Sequence, residues 1–108
     1  MKKVSKNKKV VAKNEFRNNK KTGHPAYIFE QERHHFHFLG ITHSSETSVK
    51  NGKKTKNIPL INNPNPKDKK QAFVRPNKEK DHVNKFTKPL KDWKLSRKDK
   101  ETINKLKK

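Results

Sequence analysis

The 108-residue sequence contains no cysteine. This absence excludes disulfide bonds, zinc sites with thiolate ligands and a cysteine nucleophile. Long apolar runs are missing as well, since none approaches the roughly 20 residues that a membrane-spanning helix needs. After the basic N-terminus only Val10, Val11 and Ala12 are apolar, far fewer than the roughly 7–15 apolar residues of a secretion signal. We therefore expect a cytoplasmic protein.

Acidic residues are scarce: ten aspartates and glutamates face 30 lysines and arginines, so the formal net charge is +20. This imbalance predicts a polyanionic partner, with nucleic acid ahead of an anionic membrane surface. We expect RNA rather than DNA as the partner, and no membrane. Only four of the basic residues are arginines. Because lysine meets phosphate as a point charge whereas arginine reads base edges with a planar fork, binding should be salt-sensitive with little base readout.

Hydrophobic residues make up only 26% of the chain and charged residues 37%, a composition close to that of chains that do not fold alone. Any core must therefore come from a central segment where apolar residues concentrate. The pattern predicts three regions: a basic flexible arm (residues 1–22), a small β domain (residues 23–76), and a basic linker with a C-terminal helix (residues 77–108).

Two central stretches show the alternation of a half-buried strand. The first (residues 24–29) leads through a polar turn into the second (residues 35–42), in which Phe36 and Phe38 face the core. Gly40 marks a bulge or a close backbone approach. A turn is predicted at Asn51 and Gly52, and further short strands at residues 57–61 and 71–76. The expected fold is mainly β with a C-terminal helix, either a small curled sheet or an SH3-like barrel of four to five short strands.

The C-terminal segment carries the signals of a helix start. Ser96 can cap a helix, and Asp99 at the third position completes an acidic variant of the capping box. Three residues form a thin apolar stripe: Leu95, Ile103 and Leu106. Three more precede the helix as candidates for docking onto the sheet: Phe86, Leu90 and Trp93.

Five of the six histidines lie in or beside the two central strands. His35 and His37 point to one face of a strand and could share a metal ion, with His43 or His24 completing the site. The alternative is a row of exposed imidazoles opposite the phenylalanine core. We favour this alternative, because the positive charge of the chain repels divalent cations, and we expect neither a metal nor another cofactor.

The run GITHSS (residues 40–45) places an imidazole and small hydroxyls at a strand end. A ribonuclease that works without metal needs a base, a proton donor and a cation beside the phosphate. His24, Thr42, His43 and Arg75 are the candidate catalytic residues. In the alternative interpretation, the hydroxyls simply make turn hydrogen bonds.

Phosphate contacts are expected from lysines on loops, above all the proline-stiffened run NPNPKDKK (residues 63–70). A stiff loop presents its charges at low entropic cost. Tyr27 is the one strand aromatic that we assign to base stacking rather than to the core. The candidate nucleic-acid-binding residues are Lys20, Lys21, Tyr27, Lys53, Lys54, Lys67, Lys69 and Lys70.

Two short stretches, GHPAYI (residues 23–28) and LGITHS (residues 39–44), resemble the opening of the PemK/MazF-like toxins. In that family a glycine, a basic residue and a proline lead a strand, and a later strand ends in a proline-isoleucine-threonine-serine-like run. The resemblance implies a small SH3-like barrel that cleaves RNA without metal, and a cognate antitoxin as partner. Thr42 would supply the hydroxyl, and His24 replaces the arginine that precedes the proline. Gly40 replaces the usual proline, and His43 is inserted after the threonine.

Three functional hypotheses follow from the sequence. The first is a nucleic-acid-binding module from a phage or mobile element, which contacts phosphates through lysine-rich surfaces. The second is a metal-independent endoribonuclease of the toxin type, the only one that needs His24, Thr42 and His43 together. The third is a basic inhibitor or adaptor that binds an acidic protein surface. We favour the first, because charge supports all three and the catalytic match is short.

Overall fold

The computed structural model describes residues 10–43, 47–50 and 53–107. Its elements confirm the predicted class, mainly β with one C-terminal helix. The strands are β1 (Val10–Asn18), β2 (Pro25–Glu32), β3 (His35–Thr42), β4 (Thr47–Lys50), β5 (Lys53–Lys56), β6 (Ile58–Pro59), β7 (Phe73–Val74) and β8 (Glu79–His82). A 3-10 turn (Val83–Lys85) and helix α1 (Arg97–Leu106) follow. The turn predicted at Asn51 and Gly52 lies outside the described residues.

The main sheet has six antiparallel strands, and β3 is its central member. One edge of β3 pairs with β2, which pairs in turn with β1. The other edge is shared, since β8 pairs with the first half of β3 and β7 with its end. β6 extends the sheet beyond β7, while β4 and β5 form a separate hairpin. Within the described residues the sheet is open, so the curled-sheet alternative holds and the SH3-like barrel does not.

Strands lie inside both the predicted basic arm and the predicted basic linker. β1 begins at Val10, and Phe16 within it is only 3% exposed. The Phe16 ring lies 5.2 Å from that of Tyr27 and 5.6 Å from that of Trp93, measured between centroids. β8 likewise falls inside the predicted linker. β8 is polar, and Phe16 is the one buried apolar side chain of β1, so neither strand shows a regular hydrophobic alternation in the sequence.

The sheet separates two hydrophobic clusters. On one face Phe36 and Phe38, as predicted, join Ala26 and Ile28 under Phe86. The other face carries the larger cluster, in which Leu39 and Ile41 of β3 contact residues of β7, α1 and the segment before α1. Strand β3 is therefore apolar on both faces in its second half, which buries Leu39 and Ile41 on one face and Phe38 on the other.

Helix α1 begins after the predicted cap residue, Ser96. The Ser96 hydroxyl accepts a hydrogen bond from the Asp99 amide, at 3.2 Å. Ile103 is buried in the larger cluster, and Leu90 and Trp93 pack against it. The helix has ten residues, and no helix in the described ranges is long and apolar enough to cross a membrane.

Candidate nucleic-acid interface

The 63–70 loop (residues 63–70) connects β6 to β7 and presents three exposed lysines: Lys67, Lys69 and Lys70. Its two ends are held together at the base. The Leu60 amide donates to the Ala72 carbonyl at 2.9 Å, and the Gln71 side-chain amide donates to the carbonyls of both residues. Asn63 donates through Nδ2 to the Lys70 carbonyl at 3.0 Å, which closes the loop itself.

Side-chain oxygens of the loop fold it further by accepting from backbone amides two residues ahead. Asn63 accepts from the Asn65 amide at 2.9 Å, Asn65 from the Lys67 amide at 3.0 Å, and Asp68 from the Lys70 amide at 3.0 Å. Asparagine and aspartate favour such turns because a short side chain can reach its own backbone two residues on. Together with Pro64 and Pro66, these bonds fix the backbone that carries the lysines.

The single acid of the loop is turned toward His43. Asp68 Oδ2 lies 3.1 Å from His43 Nε2, and the same nitrogen lies 3.1 Å from Asn63 Nδ2. These two contacts require different tautomers; an ionised Asp68 favours the one in which Nε2–H donates to the carboxylate. The hydrogen bond from the Lys70 amide, followed by the charges of His43 and Lys70, lowers the pKa of Asp68 despite some desolvation. Asp68 therefore acts as a structural anion of the loop.

Two contacts anchor the 63–70 loop to the rest of the fold. The carboxylate of Asp99, which is 1% exposed, accepts from the Ile61 amide at 2.8 Å and the Asn62 amide at 3.1 Å. The Lys94 amide donates to the Pro64 carbonyl at 3.1 Å. Asp99 was predicted only as a capping residue, and its role in holding the loop was missed. No local pattern in the sequence pairs Asp99 with residues 61–62.

A second basic region lies at the β1–β2 turn. The Lys20 amide donates to the Lys85 carbonyl at 2.7 Å, and these two residues line one surface depression with Lys21 and Asn84. Lys21 Nζ lies 3.6 Å from Asp81, so an acid partly offsets the charge of this region. The side chains of Lys53 and Lys54, two further candidates, lie outside what the structure describes.

Tyr27 is not the exposed stacking residue that the sequence predicted. It is 5% exposed, and its ring packs against Phe16. Its hydroxyl donates to Asn14 Oδ1 at 2.6 Å. Burial raises the pKa of Tyr27, which keeps the hydroxyl protonated as a donor. Period-two alternation places Tyr27 on the face of β2 opposite Ile28, and no local pattern in the sequence indicates that this second face is also covered.

The four candidate catalytic residues lie toward one end of β2 and β3 but engage different neighbours. Arg75 covers Gly40, where a Cβ would meet the side-chain carbon Arg75 Cδ at 3.2 Å, so the close neighbour of this glycine is a side chain rather than the predicted backbone. Arg75 also lies 3.8 Å from Glu79. Thr42 is 6% exposed and pairs with Phe73, His24 is exposed just before β2, and His43 contacts the 63–70 loop. Convergence of the four on one phosphate stays a prediction.

The row of exposed imidazoles predicted for the β2–β3 hairpin is confirmed at His35 but not at His37. His35 is exposed, and its ring lies 5.5 Å from that of His82, which stacks on His34 at 6.1 Å. His37 is half-buried, with Nε2 3.0 Å from Glu32. Among the residues that the structure describes, no group of three or more histidine, aspartate or glutamate side chains could hold a metal ion.

Comparisons with known proteins found no match: no family model matches the chain, and no curated protein or solved structure does. The resemblance to the PemK/MazF-like toxins therefore stays a prediction.

Proposed function

We propose that the protein binds nucleic acid by contacting phosphates through Lys67, Lys69 and Lys70. The observation that carries this proposal is the hydrogen-bonded 63–70 loop, which exposes three lysines while its one acid is occupied by His43 and the Lys70 amide. A net charge of +20 adds long-range attraction for a polyanion.

The fixed backbone of the loop matters because association costs ordering entropy. Immobilising a loop and its side chains on binding subtracts from affinity, and a loop that is already ordered avoids the backbone part of that cost. Lysine side chains on such a loop meet phosphates as point charges, without reading bases. The resulting affinity should depend strongly on salt and weakly on sequence.

The test is a salt titration of binding to labelled single-stranded RNA and duplex DNA, followed by fluorescence anisotropy. Replacing Lys67, Lys69 and Lys70 together by glutamine should reduce the slope of log K against log salt by about 2 on a single strand, since each phosphate contact contributes roughly 0.7. An affinity of the wild-type protein that does not change with salt would contradict the proposal.

The matched control removes the same charge outside the candidate interface, by replacing the exposed residues Lys88, Lys98 and Lys105 with glutamine. If only net charge matters, both triple variants lose the same affinity; the proposal requires the larger loss in the loop variant. Running the same RNA on a denaturing gel separates binding from cleavage. RNA products that vanish in His43→Ala would favour the ribonuclease hypothesis instead.

A further inference from the structure

A cavity of about 340 Å³ opens between β1 and helix α1. This volume lies at the lower end of the range of small-molecule sites, about 300–1,000 Å³. Its lining combines aromatic rings, amide side chains and lysines: Phe16, Tyr27, Trp93, Asn14, Asn104, Lys94 and Lys100, together with Leu95.

The apolar side of this cavity is a packed aromatic cluster. Phe16 and Tyr27 are buried and tilted against each other, and Trp93 packs on Phe16 from outside. Trp93 itself is only partly buried. The backbone amide of Trp93 donates to the Leu90 carbonyl at 3.2 Å. A partly exposed indole on a rigid support is a suitable platform for a flat ring.

The polar side offers groups that match the edge of a base and its phosphate. Asn14 accepts from the Tyr27 hydroxyl, which leaves its amide nitrogen as a donor. Asn104 and Lys100 are four residues apart on α1, so they lie on the same side of the helix. An amide supplies both a donor and an acceptor to a base edge, and lysine supplies the charge for phosphate.

Trp93 also lines a second cavity, of about 250 Å³, on the side of the 63–70 loop. Asn65, Pro66 and Lys67 contribute its loop side. The bond from the Lys94 amide to the Pro64 carbonyl links the two neighbourhoods directly. Trp93 therefore lies between Lys67 of the loop and the two lysines of the first cavity, Lys94 and Lys100.

We infer that the cavity between β1 and α1 binds one unpaired nucleobase, stacked on Trp93, with the adjoining phosphates on Lys100 and Lys94 and the strand continuing toward Lys67. This inference rests on the proposed function and assigns its substrate class, single-stranded nucleic acid. A duplex keeps its bases stacked inside, so it cannot fill the cavity without unpairing.

The experiment uses Trp93 as its own reporter, because it is the only tryptophan of the chain. Single-stranded RNA should quench its fluorescence, and duplex DNA of equal charge should not. Trp93→Ala should weaken single-strand binding about 5- to 150-fold, the loss expected for one stacked base, and leave duplex binding within a factor of about two.

Because Trp93 packs against the core, surface variants keep the test independent of folding. Asn104→Ala and Lys100→Gln should each weaken single-strand binding with unchanged thermal unfolding. Lys105→Gln, which removes the same charge from the same helix outside both cavities, is the matched control for Lys100→Gln.

Three outcomes would overturn the inference. The first is salt-dependent binding with equal affinity for single strand and duplex and no quenching, which leaves the proposed function standing. The second is the absence of salt-dependent binding to any nucleic acid, which defeats both. The third is quenching by adenosine monophosphate without preference for single-stranded RNA, which identifies a nucleotide site rather than a strand site.

Discussion

At the scale of single residues, substitution of Phe38 tests how much the smaller hydrophobic cluster contributes to stability. Its ring is 5% exposed and lies 5.1 Å from that of Phe86. Replacing it by alanine should lower the free energy of unfolding by roughly 3–5 kcal/mol, because a large ring leaves a cavity that so small a cluster cannot close. His35→Ala, an exposed change on the opposite face of the same strand, should leave the free energy of unfolding nearly unchanged. Denaturant unfolding of both variants measures the difference, and equal losses would contradict the assignment of the two faces.

The same residues show what a sequence pattern can and cannot predict. Alternation placed Phe36 and Phe38 in the core because a strand of period two sorts neighbours by face whatever lies around it. It failed at Tyr27, whose exposure depends on whether a distant segment covers that face. Leu90 and Trp93, more than 60 residues further along the chain, belong to that covering segment. Local patterns give the face of a side chain but not its neighbour across the fold.

At the scale of elements, a variant in the 63–70 loop can distinguish the contribution of loop rigidity to nucleic-acid affinity from the contribution of charge. Asp68→Ala removes an acid, so a purely electrostatic surface would bind nucleic acid more tightly. The variant also loses the bonds to His43 and the Lys70 amide, so we expect affinity to fall about two- to tenfold, the cost of ordering a side chain or two on binding. Anisotropy at one fixed salt concentration decides between the two directions.

Protonation of Asp68 at low pH should weaken the same hydrogen bonds of the loop that Asp68→Ala removes. The pKa of Asp68 is lower in the folded chain than its ordinary value of 3.8, so folding gains stability from this carboxylate above that value. The gain is lost as the pH falls through the folded pKa, below about pH 4. Hydrogen exchange of the Lys70 amide should therefore accelerate in that range, relative to its trend at higher pH. An Asp68→Ala variant should show no such step.

Some strands and the helix could be predicted from the sequence, whereas other strands could not. β2 and β3 were predicted because their apolar residues alternate, and α1 because Ser96 supplies a cap. β1 and β8 were missed because neither carries a regular apolar alternation. Backbone pairing with β2 and β3, together with the burial of Phe16 in β1, determines their place. The stiffness of the 63–70 loop was visible in its prolines, whereas its anchor on Asp99 lies 37 and 38 residues away in sequence.

At the scale of the whole molecule, the protein has two small hydrophobic clusters, one on each face of the main sheet, instead of a single core. Each cluster is formed by side chains from one face of the sheet and by residues that pack on that face. β1 contributes Phe16 to the larger cluster and pairs along β2, so it belongs to the folded unit although it lies in the basic N-terminal region.

This arrangement predicts opposite results for two N-terminal deletions. Removing residues 1–22 deletes β1, together with the Phe16 carbonyl that accepts from the Leu90 amide at 2.7 Å, and should abolish cooperative thermal unfolding. Removing only residues 1–9 leaves every described strand pairing in place but takes away five lysines. Its melting temperature should stay close to that of the full chain, while the salt slope on single-stranded RNA falls by up to about 3.5, at roughly 0.7 per phosphate contact. Circular dichroism measures the thermal unfolding of both deletion variants, and fluorescence anisotropy measures the salt slope of RNA binding. A 1–22 deletion that melts like the intact chain would show that β1 is an accessory of the fold, and the boundary at residue 22 would then be the right one.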